Sequence, residues 1–166
     1  LFGLEVPISF DILLHFSTLL VLLTIYWKDL YEICGSWFRF DTKSSEFKLG
    51  YLLILGTIPT AIIGLLFKDL FSSFFSSILA IGIAYLFTAV ILFLSKFASE
   101  KQKLSIPSAL LVGLAQGIAI IPGVSRSGST ISLGLLLGIN RRDIAKFSFL
   151  LALPAILGAT ILEGGA

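Results

Sequence analysis

Long apolar runs restrict what this chain can fold into more than any other feature of it. They fall at Phe10 to Trp27, Leu49 to Phe67, Phe74 to Leu94, Leu104 to Ile121, Ile131 to Ile139 and Phe147 to Leu162. Four of them, the last counted with its flanks, approach the roughly 20 helical residues that cross a hydrocarbon core. Lipid rather than water is then the solvent for most of the chain. The bulk numbers agree, since 57% of the 166 residues are hydrophobic and 13% charged, with a mean hydropathy of +1.02, far from a soluble domain. Backbone polar groups in hydrocarbon have to be satisfied within the segment, which at these lengths means helix. The expected fold is an all-α, polytopic membrane helical bundle, one integral membrane domain over 1–166. Spans are expected at about 10–27, 49–67, 74–95 and 145–162.

One segment is too short to cross. A helix from Ser127 to near Gly138 rises about 18 Å, a little over half of a core about 30 Å thick. Irregular backbone at that depth is tolerated only where protein or a water-filled cavity satisfies it. A short helix after Pro122-Gly123 therefore predicts a re-entrant hairpin over about 104–138. Such broken helices come in pairs, so this is read as half of an inverted-repeat fold. Loop charges favour the hairpin. If it returns to the side it came from, ten of the 12 Lys and Arg gather there, Lys68 stands alone opposite, and Arg126 sits at the tip. A full span over 104–121 moves Arg141, Arg142 and Lys146 across and spoils the positive-inside bias. The connection from Lys28 to Lys48, with Trp27, Tyr31, Trp37, Phe38 and Phe40, reads as a segment lying in the membrane interface. The chain starts at Leu1, has no Met, and stops right after an apolar run. The expectation is a fragment, truncated at the N-terminus and at the C-terminus.

Several function classes drop out. A single cysteine, Cys34, excludes an internal disulfide, and with one histidine, His15, no zinc cluster is in sight. The net charge of +2 is spread over separate loops, which gives nucleic acid no basic footprint. Acidic Glu5 precedes the first apolar run, where a signal peptide would carry basic residues.

The dense polar cluster of the second half is Pro122-Gly123-Val124-Ser125-Arg126-Ser127-Gly128-Ser129-Thr130, with apolar helix on both sides. Pro122 ends the incoming helix, Gly123 lets the backbone turn, and Gly128 keeps bulk away from whatever approaches. The N–H groups of residues 127 to 130 are expected to open the outgoing helix without intrahelical acceptors, a ready anion site. Arg126 adds a planar donor fork that matches phosphate. A cation at this depth costs about 2.5–3.5 kcal/mol on insertion scales and so needs a reason. Ser125, Ser127, Ser129 and Thr130 either donate to phosphoryl oxygens or supply a nucleophile. The competing structural account pairs Arg126 with a carboxylate and lets the hydroxyls cap the helix, although capping needs only one. A hydrolase also needs a base, and no His, Asp or Glu stands between Glu100 and Asp143. Glu5, Asp11 and His15 are the candidates inside the chain, the last two on one helical face. Gln116 and Gly117 either hydrogen-bond across the hairpin or permit close packing.

Gln116-Gly117 with the cluster at 122–130 resembles the PGxSRSxxT signature of the undecaprenyl-diphosphate phosphatases, the bacitracin-resistance membrane enzymes. Phe10-Asp11 with His15 and Thr18, Gly56-Thr57-Ile58-Pro59, Gly64 to Asp69, and Phe147-Ser148-Phe149-Leu150-Leu151 with Pro154 and Gly158 look like the same pattern in the same order. The resemblance implies a plasma-membrane, multi-pass hydrolase that cleaves undecaprenyl diphosphate to the monophosphate in lipid-carrier recycling for peptidoglycan synthesis. It implies Arg126, Ser125, Ser127 and Thr130 as catalytic, and Gly123, Gly128, Ser129 and Gln116 as substrate-binding. A divalent cation, Mg²⁺ or Ca²⁺, is implied too, with its ligands mostly outside these residues and none assigned within them. The family's other signature, an ExxxE pair followed by a Ser-Ser-x-Gly-His turn, is absent, and Glu5 and His15 do not match its spacing. These residues alone are accordingly expected to be inactive. The alternative is a polyprenyl-phosphate flippase or small phosphate-lipid transporter. The expected partners are a polyprenyl diphosphate lipid and the bilayer, with oligomerisation left open.

Overall fold

The computed structural model describes residues 8–67, 74 and 77–164; Glu5 and Lys68 lie outside these, as do the side chains of Asp11 and His15. Among the described residues there are six helices: α1 (Ile8–Phe38), α2 (Ser45–Leu66), α3 (Ile78–Ser95), α4 (Ile106–Ile118), α5 (Arg126–Leu136) and α6 (Arg141–Gly164). No strand accompanies them, only an isolated parallel bridge between Gln102 and Ile139. The protein is all-α, and α2 and α3 are long and apolar enough to cross a membrane. On α3 the apolar side chains face outward, Leu79, Ile83, Leu86, Val90 and Phe93, while Ala84, Thr88 and Ser95 face in. A helix with its bulk outside and its small and polar groups inside suits a lipid solvent.

The first helix does not stop at the polar stretch. It runs on for 31 residues to Phe38, with a break from helical geometry at Tyr26 (φ −102°, ψ 16°). Residues 26–38 hold no proline, and they gain tertiary partners: Asp29 pairs with Lys146 of α6, and the Tyr26 ring stacks on Phe149. The connection to α2 shrinks to a short turn, from which Ser44 caps α2 by accepting from Phe47 N–H at 3.1 Å.

Helices α2 and α4 close on each other through small residues. Ala109, Gly113 and Gly117 recur at every fourth position of α4, and Gly56, Thr60 and Gly64 do so on α2. A Cβ added at Gly113 would lie 2.0 Å from the carbonyl oxygen of Gly56, so the two backbones touch there. The Thr60 hydroxyl crosses the seam to the Gly113 carbonyl at 2.8 Å. Small faces and a cross-helix hydroxyl are what packing in lipid relies on.

Helices α4 and α5 are short, 13 and 11 residues, or about 20 and 16 Å. Their outer ends are clasped: Gln102 N–H donates to the Gly138 carbonyl at 2.7 Å and Arg141 N–H to Glu100 Oε2 at 3.0 Å. Gly138, at φ +86°, makes that close approach beyond the end of α5. The chain leaves the pair of helices beside the point where it entered. Phe147, Leu151 and Ile144 of α6 fill the core against Leu52, Ala109, Val112 and Leu135, and Leu19 and Leu22 of α1 pack on Leu150, Leu153 and Ile156.

Candidate functional site

The tip between α4 and α5 is built from the polar cluster. Gly123 takes φ +92°, and a Cβ there would meet the Ile81 carbonyl at 2.7 Å, so glycine is required both for the turn and for the approach to α3. Thr88 of α3 fixes the next step. Its hydroxyl oxygen accepts from Ser125 N–H at 3.2 Å and lies 3.0 Å from the Ala84 carbonyl and 3.4 Å from that of Gly123. Thr88 stands ten residues beyond Ile78, about 15 Å along a helix of spanning length. The tip is thereby anchored near the middle of α3.

Helix α5 starts at Arg126 with Ser125 as its N-cap, in extended geometry. The expected row of free N–H groups at 127 to 130 is corrected by this cap. Ser125 Oγ takes Gly128 N–H at 3.2 Å and the Ser125 carbonyl takes Ser129 N–H at 2.8 Å. The N–H groups left without an acceptor among the described residues belong to Arg126 and Ser127, one position earlier than expected because the helix also begins one residue earlier.

Arg126 is half-buried, and no carboxylate pairs with it among the described residues, whose ion pairs are Arg141–Glu100 and Lys146–Asp29. It lines a cleft of about 260 Å³ with Ser127, Thr18 and Leu22 of α1, and Ser148, Phe149 and Ala152 of α6. A larger hollow, about 420 Å³, opens at the α1–α2 turn among Glu32, Arg39, Asp41 and Glu46. It holds none of the cluster's residues and its charges are of mixed sign, so the smaller cleft is the candidate site.

The other candidates are not all at that cleft. Ser125 is exposed and serves as the cap. Thr130 is fully buried; its hydroxyl sits 2.9 Å from the Arg126 carbonyl and 2.6 Å from Ser148 Oγ. Ser129 is buried with its hydroxyl unpartnered, and Gly128 lies under Ser125, whose Cβ an added methyl would meet at 2.9 Å. Gln116 is buried between α2 and α6: its Nε2 donates to the Leu151 carbonyl at 3.1 Å and is 3.4 Å from Thr60 Oγ1. Its hydrogen bonds thus run to neighbouring helices rather than across the hairpin, while Gly117 packs closely on Ile63. Thr18, Thr88 and Ser148 join the site although the residue pattern does not mark them as site residues; the signal each carries is a hydroxyl within an apolar run, Thr18 beside Ser17 and the other two alone.

A divalent cation does not fit the described side chains of the cleft. None of its lining residues is a carboxylate, and among the described residues no three His, Cys, Asp or Glu stand together. Mg²⁺ and Ca²⁺ take about six or more oxygen ligands, with carboxylates prominent.

With this geometry in place, the likeness to known proteins is direct. The family model described as bacitracin resistance protein BacA matches residues 1–166. An undecaprenyl-diphosphatase of Methanosphaera stadtmanae is 39% identical over 98% of this chain and 66% of its own length. Those of Halothermothrix orenii and Carboxydothermus hydrogenoformans are 43% and 44% identical, over 94% and 98% of this chain and 60% and 61% of their own lengths. The chain therefore spans 60% to 66% of the length of these curated relatives.

Proposed function

Because this chain belongs to the bacitracin resistance protein BacA family of membrane proteins, we propose that it forms the phosphate-gripping part of an undecaprenyl-diphosphate phosphatase. The observation that carries the reading is Arg126, half-buried, unpaired among the described residues, at the first position of an 11-residue helix and beside a 260 Å³ cleft. A guanidinium costs too much at that depth to stand idle. Its fork and the free N–H groups of Arg126 and Ser127 match the terminal phosphoryl oxygens of a diphosphate headgroup. The name of these relatives, undecaprenyl-diphosphatase, supports the substrate and favours hydrolysis over transport.

In this reading α4 and α5 are a re-entrant hairpin of a multi-pass plasma-membrane protein, half of an inverted-repeat fold. The clasp of Gln102 with Gly138 supports entry and exit at one face, with Lys101, Lys103, Arg141 and Arg142 nearby in sequence. Chemically, a water oxygen bonds to the terminal phosphorus as the bond from that phosphorus to the bridging oxygen breaks. The products are the lipid monophosphate and inorganic phosphate, and the water's proton passes to a base. Glu5, Asp11 and His15 are the base candidates in this chain. A divalent cation would take its carboxylate ligands from beyond the described side chains, and no step here is assigned to it.

The test is inorganic phosphate release from undecaprenyl diphosphate by the purified full-length protein carrying these residues, with Mg²⁺ present. Arg126→Lys should abolish most of it despite keeping the charge, because an ammonium cannot form the two-point contact. Near-normal rates in that variant, or movement of labelled lipid across vesicles with no phosphate released, would sink the proposal.

A further inference from the structure

Ser148 of α6 is 3% exposed, lines the same cleft as Arg126, and lies 2.6 Å from Thr130 Oγ1. Which hydroxyl donates follows from counting hydrogens. Each carries one. Thr130 Oγ1 also lies 2.9 Å from the Arg126 carbonyl and 3.3 Å from the Ser127 carbonyl, and carbonyl oxygens only accept. The Thr130 hydrogen is therefore committed to its own helix, and the short contact to Ser148 is made by the Ser148 hydrogen. The reverse order would leave the Thr130 oxygen facing the Arg126 carbonyl with no hydrogen between them. Thr130 is the one hydrogen-bond partner of the Ser148 side chain among the described residues, so its hydrogen is spent inside the protein and its remaining lone pairs are available to the cleft.

That polarity has a chemical consequence. A phosphoryl oxygen is itself an acceptor and gains nothing from a hydroxyl whose hydrogen points elsewhere. What such an oxygen binds is a donor, and with the Arg126 guanidinium taken up by the phosphoryl group, the donor left for Ser148 in the cleft is water. We propose that Ser148 is a positioning residue of this cleft that accepts a hydrogen bond from a water molecule and holds it beside the phosphoryl group gripped by Arg126, with Thr130 setting the direction of the Ser148 hydroxyl. The role rests on the hydrolase reading above. It also gives buried Thr130 a function that needs no contact with substrate: one hydroxyl ties the Arg126 carbonyl, and through it the first turn of α5, to α6.

The experiment measures kcat and KM for phosphate release from undecaprenyl diphosphate by the full-length protein and its Ser148→Ala, Thr130→Val and doubly substituted forms. Losing one hydrogen bond to the positioned water lowers kcat about tenfold in Ser148→Ala, with KM within about twofold of the parent. In the Thr130→Val background, where the Ser148 hydrogen has lost its acceptor, adding Ser148→Ala costs less than about twofold. Alanine suits a helix, and melting temperature in detergent separates the two kinds of role: a purely structural serine lowers the melting temperature and leaves kcat alone. A raised KM with unchanged kcat would show Ser148 donating to the headgroup and overturn the proposal, as would unchanged kinetics or full additivity of the two substitutions. An inactive parent overturns the hydrolase reading and this role together; an active parent with any of those patterns overturns the role alone.

Discussion

Replacing Gly113 by alanine asks whether the seam between α2 and α4 is closed to atomic contact, and the size of the effect follows from the geometry. The new methyl carbon would sit 2.0 Å from the Gly56 carbonyl oxygen and 2.8 Å from both the Gly56 carbonyl carbon and Pro59 Cγ. Backbone does not swing aside as a side-chain tip does, so α4 has to retreat by about 1 Å to bring the closest contact to 3.0 Å. Retreat stretches the 2.8 Å bond from Thr60 to the Gly113 carbonyl, worth about 1 kcal/mol. Overpacking of this kind costs about 1–3 kcal/mol, and the better helix propensity of alanine returns up to about 1 kcal/mol. The net expectation is a loss of about 1–4 kcal/mol when these contributions are combined. Gly82 is the internal control: an added Cβ meets nothing within 4 Å, so Gly82→Ala should be neutral or stabilise by up to about 1 kcal/mol. Thermal unfolding of the two variants in the same detergent is the assay. If Gly113→Ala melts with or above the parent, or if both glycines respond alike, the close-contact account of how α4 is seated is wrong.

Thr88→Val keeps the shape of the side chain but leaves Ser125 N–H without its acceptor; a cost of about 1–3 kcal/mol and a fall in phosphate release are expected, with Thr88→Ser restoring both. Gly138→Ala forces a methyl group onto a residue at φ +86° and to within 3.1 Å of the Ser99 carbonyl, which should loosen the clasp by about 1–2 kcal/mol and appear as faster amide exchange at Gln102. Asp29→Asn removes the partner of Lys146; since both side chains are partly exposed, the loss should stay below about 1 kcal/mol and shrink further at high salt, and a larger, salt-independent loss would mean the pair is far drier than its exposure indicates.

The cluster from Pro122 to Thr130 announces its own structure, because Pro, Gly and an N-cap serine each carry a local rule. A turn and a helix start with a cation in its first turn are legible there without any neighbour. The all-helical class and the short second arm are equally local, since they depend on run length and on where proline and glycine interrupt it. Other features are not local. Residues 28–38 read as part of a polar connection lying in the membrane interface; that they are helix continuous with α1, pinned near its break by Lys146 to Asp29 and Phe149 to Tyr26, is visible only in the fold. Gln116 reads equally as a group bonding across the hairpin or as a close-packing position, and only the fold shows its amide spent on the Leu151 carbonyl and Thr60.

Thr18, Thr88 and Ser148 make the same point from the side of the site. Each is a hydroxyl in an apolar run, Thr18 beside Ser17 and the other two alone, and in hydrocarbon a hydroxyl most cheaply bonds back to its own helix. Thr18 does so, to the Leu14 carbonyl at 2.9 Å, so its place on the cleft wall is set by how α1 lies against α6. Thr88 and Ser148 reach the tip and the first turn of α5 because separate helices bring them there. Residue order alone thus determines helices, breaks and a capped helix start that carries Arg126, each governed by interactions within a few positions. Only the packed fold decides which hydroxyls face that turn and which way their hydrogens point, because those choices depend on atoms far apart in the chain.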